Sequence, residues 1–388
     1  MLLTGVTGFV GEALLHRILR DLPDTTVVAL VRRKGSLSAR ARLEQLLGKP
    51  IFESIRSDFG GEAAALLDAR CEVIEGDLTD VPALPDDLDV VIHCAGDVSF
   101  DPPIDQAFKT NVLGTEQLLN RILGSGGRTA RAHYVHVSTA YVSGRRRGAI
   151  PETPVDHQAD WRTEAKWGLE MRERVEATSR TPAVLAKLSK QAERDHRRAG
   201  PITTAQDTER RRVEWVEKQL VRTGGERARS LGWTDVYTFT KALGERVVEE
   251  IGAPLPVSIV RPSIIESARE TPHQGWIEGF MMAEPLILAY GRGELPEFPA
   301  SADAICDIVP VDHVVAATLI AAASPPPPGD PAYFHVASGS RNPLTYARLY
   351  ELVRAYFDAH PFDMSERGAV RLPTWRFPGG ERVDRLLA

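Results

Sequence analysis

The chain opens on Met1-Leu-Leu-Thr-Gly-Val-Thr-Gly-Phe-Val-Gly11, a short apolar run followed by glycines at positions 5, 8 and 11. The next residues, Glu12 to Leu19, read as a helix, so the glycines lie between a strand and a helix. In that context each glycine has a separate reason. Gly5 permits the tight turn, Gly8 lets backbone approach a pyrophosphate, and Gly11 lets the helix pack on the strand. The helix N-terminus adds backbone N–H groups and the positive end of a dipole. Thr7, Phe9 and Val10 belong to the same loop and complete a candidate dinucleotide cradle.

The rest of the chain alternates as such a cradle requires. Thr25 to Val31 is β-branched and apolar, the pattern of a buried parallel strand. It ends in Arg32-Arg33-Lys34, where a cofactor lacking a 2′-phosphate would call for a carboxylate; arginine suits the 2′-phosphate, so NADPH is expected. Arg40 and Arg42 are further candidates whose direction the sequence leaves open. Cys71 to Leu78 reads as a third strand, bringing Asp77 and Leu78 toward the adenine. Asp89 to Gly96 is a fourth, with Ala95 and Gly96 small enough for close backbone approach. Ile104 to Leu123 is an amphipathic helix holding Asn111, and Arg131 to Thr139 is a fifth strand. Val257 to Ile265 is a sixth, with Pro262 and Ile264 as further cofactor candidates. Strands and helices alternating at this spacing predict an α/β fold, a Rossmann-like doubly wound parallel sheet with ligands at the carboxyl ends of its strands.

Bulk properties exclude other classes. The 388 residues are 43% hydrophobic and 26% charged with a net charge of −6, ordinary for a soluble protein and unsuited to nucleic acid. Cys71, Cys94 and Cys306 are odd in number and widely spaced, so neither a disulfide framework nor a metal site is expected, and a reducing, cytoplasmic setting is. No apolar run approaches the roughly 20 residues of a membrane span, which leaves peripheral membrane association open. The first strand begins at residue 1 and the last residues resemble a helix cut short, so a domain trimmed from a longer polypeptide is expected.

One stretch breaks the alternation. Residues 144–232 show no strand signal and carry more Lys and Arg than Asp and Glu, punctuated by Trp161, Trp167 and Trp215 with Trp233 just beyond. A helical insertion is expected, either a solvated one or a basic cap that attracts a polyanionic substrate. The boundaries drawn from sequence are 1–143 for the NADP-binding core, 144–232 for the insertion, 233–267 for a return to the core, and 268–388 for a smaller substrate-binding part. In that last part Trp276, Phe280 and Met281, with Met282 and Leu286 to Leu288 nearby, could line an apolar channel or simply form core.

Thr234 to Glu250 is a strong helix carrying Tyr237 and Lys241 one turn apart on one face. After a strand ending in Ser138-Thr139, this is an acid–base arrangement for carbonyl reduction. A tyrosine pKa near 10 is too high for easy proton exchange at neutral pH, and a nearby ammonium would lower it. Thr139 or Ser138 would hold the substrate oxygen, Tyr237 would give the proton, and Lys241 would also orient the nicotinamide ribose.

Together Thr4-Gly-x-x-Gly-Phe-x-Gly11, Asn111 and Tyr237-x-x-x-Lys241 resemble the extended short-chain dehydrogenase/reductase superfamily. Val137-Ser-Thr-Ala-Tyr-Val142, Gly275-Trp-Ile-Glu-Gly279, Asp307-Ile-Val-Pro-Val-Asp312 and Ser340-Arg-Asn-Pro-Leu344 are similar, more narrowly, to fatty acyl-CoA reductases of the male-sterility type. The resemblance implies NADPH-dependent reduction of a long-chain acyl-CoA, or of an acyl carrier protein thioester, to the aldehyde and on to the primary alcohol as in wax ester biosynthesis. It puts the catalytic hydroxyl at Thr139 and explains the long helical insertion. The competing enzyme readings are a carrier-thioester reductase that stops at the aldehyde and a nucleotide-sugar epimerase or dehydratase; a non-catalytic cofactor sensor would be expected to have lost the Tyr/Lys pair.

Overall fold

The computed structural model describes residues 1–59, 63–196, 200–279, 283–298, 300–364 and 368–379. The first six strands are β1 (Leu2–Thr4), β2 (Val27–Val31), β3 (Cys71–Glu75), β4 (Val90–His93), β5 (His133–Val137) and β6 (Val257–Pro262). Five more follow among the described residues: β7 (Ile264–Glu266), β8 (Ile308–Pro310), β9 (Ala332–Val336), and the short antiparallel pair β10 (Asp363–Met364) and β11 (Gly368–Ala369). The large sheet has the order β3-β2-β1-β4-β5-β6-β9, with every pairing from β3 to β6 parallel. The doubly wound reading holds. All five residues of β2 are buried, as a strand covered on both faces by helices demands.

The helices up to the sixth are α1 (Phe9–Asp21), α2 (Ala39–Leu47), α3 (Glu53–Phe59), α4 (Ala63–Arg70), α5 (Ile104–Ala107) and α6 (Gly114–Leu123). Between α5 and α6 the chain stays helical but widens to a π-turn over Phe108–Leu113, where Asn111 sits. Such widening re-aims side chains and is common at functional sites. The insertion forms α7 (Trp161–Ser179), α8 (Pro182–Asp195) and α9 (Pro201–Ser230), and the Tyr/Lys helix is α10 (Val236–Ile251). The chain ends with α11 (Glu284–Gly291), α12 (Val311–Ala323) and α13 (Tyr346–Ala359). Among the described residues no helix is long and apolar enough to cross a membrane.

The insertion packs onto the core of the sheet rather than standing off in solvent. Trp161, Ala165, Val175, Val216, Leu220 and Ala228 join the same buried cluster as the sheet and α10. Its arginines are engaged locally: Arg172 with Asp105 and Glu217, Arg227 with Glu164, and Arg212 with Glu176 and Glu209. Of these partners only Asp105 lies outside the insertion, so the pairs fix the arginines in place while the stretch keeps its excess of Lys and Arg.

The chain divides into two compact units, residues 1–261 with 317–334, and residues 262–316 with 335–388. The division thus falls at Arg261, and 317–334 goes with the first unit, which differs from the boundary drawn at 267. In the second unit Tyr290, Phe298, Tyr350 and Trp375 pack ring on ring. Its two conspicuous aspartates tie loops. Asp307 accepts from Ser338 and Gly339 N–H groups, and Asp312 from those of Arg269, Glu270 and Thr271. Trp276 is 4% exposed, an interior position. Phe280, Met281 and Met282 lie outside the described residues.

Candidate active site

The glycine loop is built by contact as much as by turn geometry. Gly5 has φ of +73°, and a Cβ there would stand 2.7 Å from Ala95 N. A Cβ on Gly11 would stand 2.1 Å from Gly5 O, so the start of α1 could not close on the loop. Gly8 is different: it is exposed, its nearest neighbour would be an ordinary 3.4 Å away, and it precedes α1 in extended conformation. An open glycine at a helix start, in a loop whose Gly5 lies against Ala95, fits a dinucleotide pyrophosphate. Phe9 and Val10 form the first turn of α1. Thr4 Oγ1, accepting from Ala95 N at 3.1 Å, locks the ends of β1 and β4 together.

At the end of β2 the arginines separate. Arg33 Nε donates to Glu75 at 2.9 Å, a carboxylate that also accepts from Ala39 N, so Arg33 belongs to a strand-end ion pair. Arg40 is paired with Glu44 and Asp68. Arg42 turns instead to the glycine loop, donating to Thr7 Oγ1 at 3.0 Å and to the Arg32 carbonyl at 2.6 Å. Arg32 itself is open, with its guanidinium 3.8 Å from Asp77. Arg32 and Arg42 therefore flank the loop. Asp77 caps its own turn by accepting from Thr79, and Leu78 is buried. Asn111 uses its amide to clamp backbone: Oδ1 accepts from Asp97 N at 2.7 Å, and Nδ2 donates to Asp97 O and Thr240 Oγ1, both at 3.0 Å. This holds the loop after β4 against α10.

Two contacts bring Tyr237 to the end of β5. Trp233 Nε1 donates to Val142 O at 2.8 Å, tying the end of the insertion to the turn after Thr139. Asp235 then caps α10 by accepting from Thr238 N at 2.8 Å, which sets where the helix starts. The result places the Thr139 hydroxyl beside the Tyr237 phenol, where it acts to lower the phenol's pKa. Ser138 faces the other way, beside the Glu245 carboxyl, without a well-aligned hydrogen bond. Lys241, 6% exposed, donates to Val137 O at 2.8 Å and meets His136 Nε2 at 3.3 Å.

The electrostatics differ from the sequence expectation. Burial pushes the Tyr237 phenol up to about 12, with the Thr139 hydroxyl opposing and Asp235 adding to the rise. Lys241 is not among these influences, because its ammonium is directed to β5. The phenol is thus fully protonated at neutral pH, the state a proton donor needs. Burial lowers Lys241 to about 8, against the pull of Glu245 and Cys94. Beneath it Arg261 is completely buried and grips Glu245 through two bonds of 3.0 and 2.7 Å.

Several participants escaped sequence reasoning. Phe100 sets its ring edge-on to Tyr237, centroids 6.1 Å apart and 88° between planes, while remaining 46% exposed. Val98 and Tyr141 are likewise exposed. His136 and His93 are buried opposite one another on β5 and β4, and His93 is opposite Thr4 on β1. The alternation along β5 was the available signal: Tyr134, His136 and Ser138 share one face.

A family model described as Male sterility protein, for an NAD-binding domain, matches residues 3–318. The chain belongs to this family. It is 31% identical over 377 residues to the chloroplastic fatty acyl-CoA reductase 2 of Arabidopsis thaliana, covering 93% of this chain and 57% of that protein. It is 28% identical over 386 residues to the alcohol-forming fatty acyl-CoA reductase of Simmondsia chinensis, covering 96% of this chain and 73% of that protein. The chain thus spans between about half and three quarters of the length of these curated relatives. Among solved structures, the terminal R domain of the myxalamid PKS-NRPS pathway aligns with a TM-score of 0.57 at 20% identity, covering 92% of this chain and 68% of that one. UDP-glucuronic acid 4-epimerase from Bacillus cereus aligns with a TM-score of 0.56 at 14% identity, covering 97% and 87%. At these identities the likeness concerns fold alone. The family resemblance read from the motifs and the Rossmann-like fold are both borne out.

Proposed function

We propose that this male-sterility-family chain reduces a fatty acyl-CoA thioester to the aldehyde and on to the primary alcohol, using NADPH. The adjacent pair of Thr139 and Tyr237, with Lys241 one turn on at the carboxyl end of β5, is the observation that carries this reading. The dinucleotide would be held by the Gly5–Gly11 loop, by Arg32 and Arg42 at its 2′-phosphate, and by Ala95 and Gly96. When bound it supplies the reducing equivalent delivered to the substrate carbonyl carbon.

The chain's own residues do the rest. Thr139 orients the carbonyl oxygen and Tyr237, protonated at neutral pH, gives that oxygen its proton. Lys241, held at the end of β5 by the Val137 carbonyl, would orient the nicotinamide ribose beside them. Asn111 keeps in place the loop after β4, which carries the exposed Val98 and sets Phe100 edge-on to Tyr237. Those exposed apolar groups suit an acyl chain and argue against a nucleotide sugar, whose hydroxyls would call for polar partners.

The direct test is Tyr237→Phe with palmitoyl-CoA, NADPH and product analysis by mass spectrometry. Wild type should form hexadecanal and hexadecanol, and the variant should lose turnover while still binding NADPH. Retained turnover in the variant, or no reduction by wild type, would overturn the reading.

A further inference from the structure

Lys241 is a buried ammonium whose three N–H groups all need direction. Two point at β5: one donates to the Val137 carbonyl at 2.8 Å, and one meets His136 Nε2 at 3.3 Å. An ammonium can only donate, so this second contact is a hydrogen bond only when Nε2 carries no proton. His136 must then be the neutral tautomer with its proton on Nδ1. Its surroundings enforce neutrality: the ring is 1% exposed, its centroid lies 5.4 Å from that of His93, and the Lys241 charge adjoins it. Nδ1 is buried with no hydrogen-bond partner among the described residues. A single strong contact, the one to Lys241, therefore accounts for the polarity of this side chain in the sheet interior.

We propose that His136 is a positioning residue for Lys241: its lone pair and the Val137 carbonyl together hold the ammonium at the end of β5 and leave one N–H for the reaction centre. The proposal rests on the reading of Lys241 given above. It gives the lysine a fixed direction instead of leaving a flexible four-carbon stem to find one. It also supports the charge, since a lone pair facing an ammonium favours the charged form over the neutral amine. The other groups facing Lys241 are accounted for. Glu245 on the same helix, although paired with Arg261 from β6, and Cys94 after β4 both raise Lys241, and His93 is uncharged at neutral pH. His136 is thus the side chain that bonds Lys241 directly.

The test is an NMR titration of lysine 13Cε signals in the full chain without substrate, with Lys241 assigned from a Lys241→Met spectrum. Wild-type Lys241 should titrate near pH 8, the value that burial imposes. His136→Leu should titrate about one pH unit lower or more, because the acceptor is gone. His136→Gln, which restores an oxygen acceptor, should titrate near the wild-type value. If His136→Leu does not fold by circular dichroism, His136→Phe is read in its place. A folded Leu or Phe variant that titrates like wild type, or a folded Gln variant that shifts as far as Leu, would overturn the proposal. Turnover plays no part in this titration, so failure of wild type to reduce an acyl-CoA would strike the proposed activity and leave the His136 result standing on its own.

Discussion

The Thr139 hydroxyl lies beside the Tyr237 phenol and acts to lower its pKa, while Ser138, one residue earlier, points to the opposite side against Glu245. The two neighbours are chemically interchangeable, so direction alone separates their roles. Thr139→Ala should lower kcat by about 10²-fold or more, the usual cost of removing one donor at a developing oxyanion. Ser138→Ala should change it only a few-fold. Steady-state kinetics with an acyl-CoA and NADPH check this; equal losses in the two variants would contradict the assignment.

Arg42 bridges Thr7 and the Arg32 carbonyl, whereas Arg33 is held by Glu75. A charged hydrogen bond to a 2′-phosphate contributes roughly 1.5–3 kcal/mol, equivalent to about tenfold or more in affinity. Arg42→Ala should therefore weaken NADPH binding by about that factor and leave NADH binding nearly unchanged. Arg33→Ala should do much less. Fluorescence titration of both cofactors against both variants measures the contrast, and a uniform loss for NADPH and NADH in Arg42→Ala would remove the phosphate role.

Phe100 is half exposed although its ring meets Tyr237 edge-on. Removing the ring takes away an aromatic contact of about 0.5–1.5 kcal/mol together with apolar area that an acyl chain would cover. Phe100→Ala should raise KM several-fold for long-chain acyl-CoA, with a smaller effect on a short-chain substrate. A KM profile across chain length that does not change would show that the chain runs elsewhere.

Acid should destabilise the first unit before carboxylates become involved. Burial lowers His16 and His157 to about 4 and His93 to about 3. In the unfolded chain these imidazoles take up protons near 6.5. Between those values the unfolded state binds more protons, so stability falls as pH drops from about 7 toward 4. Thermal melts should show Tm declining over that window, and His93→Gln should flatten the decline. A Tm that stays level down to pH 4.5 would contradict the buried neutral histidines.

Much of this molecule is written in local pattern. Strand spacing, β-branched runs and the three glycines specify the doubly wound sheet, because period and turn conformation depend on residues a few positions apart. The Tyr237 and Lys241 pairing is equally local, since one helical turn puts both on one face. Even the helical character of residues 144–232 follows from composition.

What local pattern does not contain is the choice of partner. Arg33, Arg40 and Arg42 look alike in the chain, and they differ only because Glu75, Glu44 with Asp68, and Thr7 come to meet them. Which of the insertion's arginines meet carboxylates on other helices, as Arg172 meets Asp105 and Glu217, is equally invisible in the chain. The depression of the Tyr237 pKa expected from Lys241 is absent because β5 supplies His136 and Val137 O as nearer acceptors. Fold class follows from interactions short in sequence, which a chain carries wherever it goes. Direction, charge state and neighbourhood at the site come from residues about a hundred positions apart, and they exist only once the sheet has brought those residues together.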